Sequence, residues 1–564
     1  MSSKYSMSIP CNSLGGGCVN IKDLNNNFEI TLYKPNRSII GELTMLTDNI
    51  NINKKIDDID TISFDINKDL IDRFTHIEDI NVMYNEIKEE RLILFNQKEY
   101  YVIKNVDESN SDTNIKSVSC SSLEHKLTRI NIALEDIGIV LFEEDADEDY
   151  LSLEYLINNE TGWTLNHVDD SVRYEIIKGE KKSKARWQES INMSWYSFLT
   201  EEIANSFLCL IQFDTLNKYI NIYDLDTYGE NIELYLSKDN YIKSLEKSTS
   251  SNEIVTRLRL TGKDEIDIRS VNPMGVDYIE DYSYFIDNGD MSESLIVALD
   301  NHKKIVENNQ LEWDKLSSRK LELDKQLIDF RAKLYRICET IKELTSLKEN
   351  YESLNDTTDA EYIGKQIEDK NLEKNTIEQD IRNIEAELKE ITEIILKLNT
   401  QLDRRLAVNE DGSKVFSSDD LWELNEFLYY DSYVNNSFIT PESLLEGGNA
   451  ELKRRCTPSI EYSVDVQDFI GRIINHKSRG FKGNLNLGDL IVFFDDLLQK
   501  EYYLYLVGYE YSPDNNSLVL NIGNKKSKIN NTINIANKLR DVVNMNNYIN
   551  SKQYMLNQLK YNKL

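Results

Sequence analysis

Residues 271–285 read VNPMGVDYIEDYSYF. The stretch holds Pro273, Gly275, three acids and three tyrosines, and the chain behind it becomes rich in Leu, Ile, Glu and Lys over residues 293–407. Pro and Gly punctuate backbone structure. The stretch therefore reads as a junction that turns the chain out of a strand and into a different structural part. Tyr278, Tyr282, Tyr284 and Phe285 offer amphipathic packing area at such a boundary, and the acids can cap the segment that follows. The competing reading, a catalytic loop, lacks an accompanying His, Cys or Ser base–nucleophile pair.

Downstream the apolar period changes. Leu327, Phe330, Leu334, Ile337, Ile341 and Leu344 alternate spacings of three and four, the a/d seam of a coiled coil. A second seam runs through Ile377, Ile381, Ile384, Leu388, Ile391, Ile395, Leu398 and Leu402. Between them LNDTTDAEY, residues 354–362, is polar and carries turn and N-cap residues. Two seams and a break predict an antiparallel coiled-coil hairpin whose arms cover each other's apolar faces and leave mainly charged outer faces. One continuous coiled coil with a stutter is the alternative.

Upstream, FEITLYK, IDTISFDIN and RLILFNQKEYYVIKNVDES alternate apolar and polar residues as strands do. Residues 28–127 read as a β-rich domain and 128–239 as an α/β domain, and β-structure returns from 240 to 292. In the α/β part, DEDYLSLEYLINNETGW reads as a helix with an acidic first turn. Residues 408–457 read as a small helical or α/β segment. Residues 458–530 read as β again, with SIEYSVDVQDF, GDLIVFFDD, EYYLYLVGYEYS and NSLVLNIGN as strands. Residues 1–27 read as a flexible arm and 531–564 as a polar helical tail. The class is α+β and multidomain.

Composition narrows the function. With 98 Asp and Glu against 65 Lys and Arg, the net charge is −33, which repels nucleic acid and argues against specific binding of it. No apolar run is long enough to span a bilayer, and the N-terminus lacks the pattern of a secretory signal. The six Cys are scattered; they read as buried apolar residues in a chain assembled in a reducing cytoplasm, and whether Cys11 and Cys18 pair stays open. The five His, at 76, 125, 167, 302 and 476, show no metal spacing. SLGGGCVN precedes no helix and is not a phosphate loop. FEEDADEDY, residues 142–150, lacks the Gly and terminal Glu of a calcium loop. Trp163, Trp187, Trp195 and Trp422 sit in apolar-flanked segments and read as core. No catalytic residue, metal ligand or cofactor is assigned.

The longer stretch TRLRLTGKDEIDIRSVNPMGVDYIEDYSYF, residues 256–285, resembles a signature of siphophage tail-tip hub proteins. This family is the N-terminal structural region of tail-associated lysins, also called the prophage tail endopeptidase family or phage minor structural proteins. The match rests on Arg257, Leu258, Gly262, Asn272, Pro273, Gly275, the run from Tyr278 through Asp281, and Tyr282. Pro458 within ELKRRCTPSIEYSVDVQDF, Leu487-Gly488-Asp489 within NLGDLIVFFDD, and TGWTLNHVDD at 161–170 are similar to family members too. The resemblance spans residues 28–290 and 410–525.

It implies two related β-barrel domains, the second split between 240–292 and 458–530, and two α/β domains. It implies a homotrimeric ring that closes the tail tube, adapts its sixfold symmetry to a threefold tip and lets DNA pass. The implied neighbours are the distal tail protein ring, the tail tube, the tape measure protein and other tail-tip or receptor-binding proteins. The implied location is the virion tail tip, after assembly in the host cytoplasm. Two departures stand out. The hairpin at 293–407 is a long insertion, and too few residues follow the last strand to hold the lysins' catalytic domain. The alternative is a tail-associated peptidoglycan endopeptidase with its site inside the hub.

Overall fold

Strict alternation in TISFDIN places Ile62, Phe64 and Ile66 on one face of a strand, and all three are buried. The same alternation recurs in most of thirteen strands that join into one sheet. They are β1 (Ile30–Tyr33), β2 (Ile39–Glu42), β3 (Thr47–Lys55), β4 (Thr61–Asn67), β5 (Leu92–Phe95), β6 (Glu99–Asn110), β7 (Asn114–Ser122), β8 (Asn231–Leu236), β9 (Ile242–Ser250), β10 (Ser459–Val466), β11 (Leu490–Asp495), β12 (Lys500–Ser512) and β13 (Ser517–Gly523). The computed structural model describes residues 19–20 and 29–524, apart from 45, 57, 72–77, 111–113, 135–137, 144–149, 178–179, 189–190, 240, 355–356, 410, 467–483, 496–499 and 513–516. The expected C-terminal helix, Cys11, Cys18, His76 and His476 lie outside the described residues. So does the expected N-terminal arm, except that Val19–Asn20 pairs antiparallel with Asn484–Leu485.

The strand order is β9-β10-β13-β12-β3-β4-β7-β6-β5-β1-β2, with β8 and β11 attached alongside β12. Strands β1–β7 form one half and β8–β13 the other. In each half the outermost strands are neighbours in sequence, β2 with β3 and β8 with β9, so each half curls back toward its own start. The path is nonetheless open. In place of two closed barrels, the described residues form two halves of one sheet. The join is the pairing of Ile52–Lys55 on β3 with Tyr511–Gly508 on β12. Gly508 is needed there, because a Cβ would lie 2.9 Å from the Lys54 carbonyl oxygen. One apolar core runs through both halves, from Ile62, Phe64 and Tyr101 to Val464, Phe493 and Leu520.

A buried ionic group sits at this join. Lys54 Nζ lies 2.5 and 2.6 Å from the two Glu99 carboxylate oxygens and 3.5 Å from Asp60. Tyr101 donates its hydroxyl to Glu99 at 2.8 Å. Nearby Glu124 is buried and accepts from the Ser122 hydroxyl. Burial, with Asp60 and Glu99 close by, pushes the Glu124 carboxyl up to about 8. Burial likewise lifts Asp60 to about 6, against the pull of Lys54.

Between the sheet halves in sequence lies an α/β region with its own core, including Trp163, Trp195, Phe198 and Ile222. Its helix Leu153–Glu160 starts later than the acidic run suggested. Ser152 caps it by accepting from Tyr155 N, and Tyr150–Ser152 is a strand. A second, smaller unit is built on the strand Arg257–Thr261, flanked antiparallel by Tyr278–Glu280 and parallel by Tyr430–Val434. Residues 257–280 therefore pair away from the sheet that β9 joins. The helix Pro441–Arg455 covers this unit, with Leu444 and Leu452 packed on Leu258 and Leu260. Trp422, expected in the core, is 74% exposed on the helix Ser418–Glu426.

Two long helices follow, a first arm Glu293–Ser353 and a second arm Thr357–Leu402. At about 1.5 Å per residue they are roughly 90 and 70 Å long. They run antiparallel: Arg319 pairs with Glu387 at 2.8 Å, Arg331 with Glu385 at 2.9 Å, and Trp313 Nε1 donates to Asn399 Oδ1 at 3.3 Å. Every seam residue from Leu327 to Leu344 and from Ile377 to Leu402 is buried or half-buried. The break is shorter than 354–362, because Thr357–Tyr362 is already helical and Ala360 is buried.

Candidate functional site

The residues of 256–285 converge on the base of the hairpin. Glu280, on the strand Tyr278–Glu280, is buried beneath three donors. Arg257 Nε donates to Glu280 Oε1 at 2.6 Å, and Tyr282 donates its hydroxyl to the same oxygen at 3.0 Å. Arg404, just beyond the second arm, donates through Nη1 at 3.0 Å and through Nη2 to Oε2. The Arg257 guanidinium stacks 4.5 Å from the Tyr278 ring centre, and Arg404 lies 5.8 Å from that of Tyr282. Burial disfavours charge on both arginines, yet Glu280 outweighs it and keeps each above its ordinary pKa. Burial, then the Glu280 charge, pushes the Tyr282 phenol up to about 12. Such a buried charged network is geometrically demanding, since each member needs its partner in place.

The turn before it braces the hairpin from the side. Asn272 shapes this turn. Its side-chain amide donates to the carbonyls of Val276 and Tyr278 at 2.9 and 3.0 Å, and its carbonyl oxygen accepts from Met274 N at 3.1 Å. Pro273 lies within the turn. Gly275 adopts φ +64°, and a Cβ there would lie 2.7 Å from the Asn399 side chain. That same Asn399 accepts from Trp313, so turn, second arm and first arm meet at one place. Asp281 accepts from Ser283 N at 2.8 Å, starting the turn into helix Ser283–Asp287. Gly262 packs against the Phe438 carbonyl, where a Cβ would come within 2.8 Å.

The start of the first arm is held separately. Ser292 caps it by accepting from Leu295 N, and Glu423 accepts from the Ser292 backbone N–H at 2.6 Å. Ser294 donates to Asp420 at 2.7 Å, and Asp420 also closes a capping box with Ser417. His302 is buried with Nε2 2.7 Å from the Leu402 carbonyl oxygen and its ring against Phe416. These contacts commit His302 to tying the arms together at their base.

Gly488 and Asp489 belong elsewhere. Asp489 accepts from Glu230 N and Asn486 N, each at 2.9 Å, and so fixes the entry of the parallel pair β8–β11. Gly488 has φ +89° and lies under the Tyr228 ring. Pro458 accepts from the Asn524 amide at 2.8 Å at the end of β13. The signature residues thus form a hairpin anchor and a distant sheet latch.

Arg404, Asn399 and Trp313 were not singled out in sequence, and Glu280 entered only within the matching run 278–281, with no role of its own. Glu280 lay inside the opening stretch, but an acid among 98 carries no signal of its own. Among the described residues no cluster of three or more His, Cys, Asp and Glu side chains is arranged to hold a metal. No described helix is long and apolar enough to cross a membrane.

Residues 32–120, which run from within β1 to within β7, match the family described as the YOMG N-terminal domain. Over 516 residues the chain is 24% identical to the SPbeta prophage-derived uncharacterized protein YomG of Bacillus subtilis (strain 168), covering 88% of this chain and 55% of that protein. The chain spans about half the length of this curated relative. Among solved structures, prophage tail protein gp18 from Listeria monocytogenes EGD-e aligns over 92% of this chain and 99% of its own, at 10% identity and a TM-score of 0.43. The 43 kDa tail protein of prophage MuSo2 from Shewanella oneidensis aligns over 88% and 98%, at 8% identity and a TM-score of 0.42. The chain is thus similar over most of its length to a prophage-derived protein.

Proposed function

We propose that this chain, kin to prophage-encoded proteins and carrying a YOMG N-terminal domain, is a structural protein of a phage tail tip. In this reading it is the hub: three copies form a ring that closes the tail tube, adapts sixfold to threefold symmetry and opens a path for DNA. The kinship with a prophage protein over most of the chain carries the reading. Two further features support it. The two sheet halves, each curling toward its own start, are the kind of internally repeated unit from which three copies make a pseudo-sixfold ring. The network around Glu280 sets the hairpin on a stiff base, as a projecting arm of an assembly requires. The partners in this reading are two further copies, the distal tail ring, the tail tube, the tape measure protein and other tip proteins. The acidic balance disfavours DNA sticking as it passes.

The test is the copy number in purified tail particles, by quantitative mass spectrometry against the tube protein. About three copies per tail, as a threefold ring demands, supports the hub. Absence from particles, or a count like that of the tube protein, overturns it. No observation favours the endopeptidase alternative, and zymography on the purified chain tests it directly.

A further inference from the structure

The two sheet halves repeat one another strand by strand. Laid over each other in chain order, β1 falls on β8 and β3 to β7 fall on β9 to β13. The neighbours in the sheet match as well, β1-β5-β6-β7-β4-β3 against β8-β11-β12-β13-β10-β9. Single residues follow the same overlay. Ile103 N donates to the Arg91 carbonyl, and the Ile103 carbonyl accepts from Glu90 N, both at 2.9 Å. Leu506 makes the same two bonds with Asp489 and Gly488, at 2.8 and 2.7 Å. Glu90 and Gly488 both have positive φ. One residue on, the pairing of β6 with β7 skips Lys104 and that of β12 with β13 skips Val507, a bulge at the same place in both halves. The halves differ in two respects: β2 has no counterpart, and β8 meets β11 parallel where β1 meets β5 antiparallel.

One joint is made in the second half and has no equivalent in the first. Past its pairing with β11, β12 takes on β3 over Gly508–Tyr511. The counterpart of that stretch is Asn105–Glu108, past the pairing of β6 with β5, and among the described residues it pairs with β7 alone. The counterpart of Ile52–Lys55 on β3 is Lys247–Ser250 on β9, which among the described residues pairs with β10 alone. Lys247–Ser250 are exposed, as are Asn105, Asp107 and Glu108. Carrying over the register of the existing joint sets Glu108 opposite Lys247, Asp107 opposite Ser248 and Val106 opposite Thr249. Glu108 and Lys247 then form an opposite-charge pair on one face. Further along, Glu246 falls opposite Ser109, with the like-charged Asp107 two residues away on the same face. Asn105 stands where Gly508 does, and its Cβ keeps that one rung from closing as tightly.

We propose that β9 of one copy of this chain pairs antiparallel with Val106–Glu108 on β6 of the next copy, as β3 pairs with β12 inside the chain. The inference rests on the ring reading and gives that ring its contact. A head-to-tail joint closes into a ring when its rotation allows. Here the same joint recurs, once within each copy and once between neighbours. Unpaired edge strands are templates for such pairing. So short a pairing is weak alone, and closure holds each copy at both ends.

The test uses the full chain with Cys11, Cys18 and Cys338 replaced by Ser, carrying Asp107→Cys, Ser248→Cys or both. Across the joint these two positions face each other with Cβ atoms about 5 Å apart, and neither faces itself. Light scattering reads the oligomer, and non-reducing gels read disulfides between copies. Each single variant alone should give no product, their mixture a cross-linked pair, and the double variant a ladder that stops at the trimer. Lys247→Glu should remove most of the product, and an added Glu108→Lys should restore it. A trimer whose double variant does not cross-link overturns the proposal and leaves the ring reading standing. Self-cross-linking of either single variant shows a two-fold contact and also overturns it. A ladder that runs on past the trimer keeps the joint and removes the threefold ring. Neither trimer nor cross-link removes both.

Discussion

Glu280 and Arg404 lie 124 positions apart, with the whole hairpin between them, and they meet in a two-pronged carboxylate–guanidinium contact. The residue entering the insertion and the residue leaving it are thus clamped to each other. Arg257 and Tyr282 hold the same carboxylate from the body of the protein.

Replacing Glu280 by Ala strands two half-buried guanidinium groups, those of Arg257 and Arg404. Breaking such a pair costs about 3–5 kcal/mol. The loss should be local as well as global. Hydrogen exchange should speed up in 295–302 and 398–402, the two ends of the hairpin base, relative to the sheet. Unchanged exchange there, with normal stability, would remove the anchor role.

Gly275 is held to glycine for two reasons, its φ of +64° and the Asn399 side chain at 2.7 Å from any Cβ. Gly275→Val should destabilise by about 1–3 kcal/mol. Asn399→Ala in the same chain should recover only the steric part, because the backbone strain remains. A thermodynamic cycle over the two sites measures the coupling.

Stability should fall as pH rises toward 8. The Glu124 carboxyl is pushed up to about 8 in the folded protein, against about 4.3 for an unfolded-chain glutamate. Between those values the folded state holds a proton that the unfolded chain has lost, so stability is greatest below ~4.3 for this group and declines through about 8. Asp60, lifted to about 6, adds to the lower part of the same slope. Glu124→Gln should flatten the slope and gain on the order of 1–3 kcal/mol at pH 8 over the parent. Denaturant midpoints of both chains at pH 5.5 and 8 check the sign.

Along the hairpin, depth in the seam should set the cost of truncation. Ile384 and Ile391 are buried against Leu323, and each change to Ala should cost about 2–3 kcal/mol of arm stability. Leu372 is 66% exposed, and its change to Ala should stay within about 0.5 kcal/mol. Proteolytic cleavage in the arms is the direct readout.

What could be read in the sequence was local. The heptad spacing from Leu327 to Leu402 predicted two arms, because facing a partner helix requires an apolar residue every three or four positions. TISFDIN and SLVLNIGN predicted strands, because alternate residues must enter the core. Pro273 and Gly275 marked the junction for the same reason: their backbone preferences act within a few residues. The partners chosen across long distances were not readable. Ile52–Lys55 pairs with Gly508–Tyr511 and merges two sheets into one, a choice made by edge geometry that no short window encodes. Glu280 selects Arg404 out of 65 basic residues because folding places that one guanidinium inside the buried neck, where a charge without its counter-charge is costly.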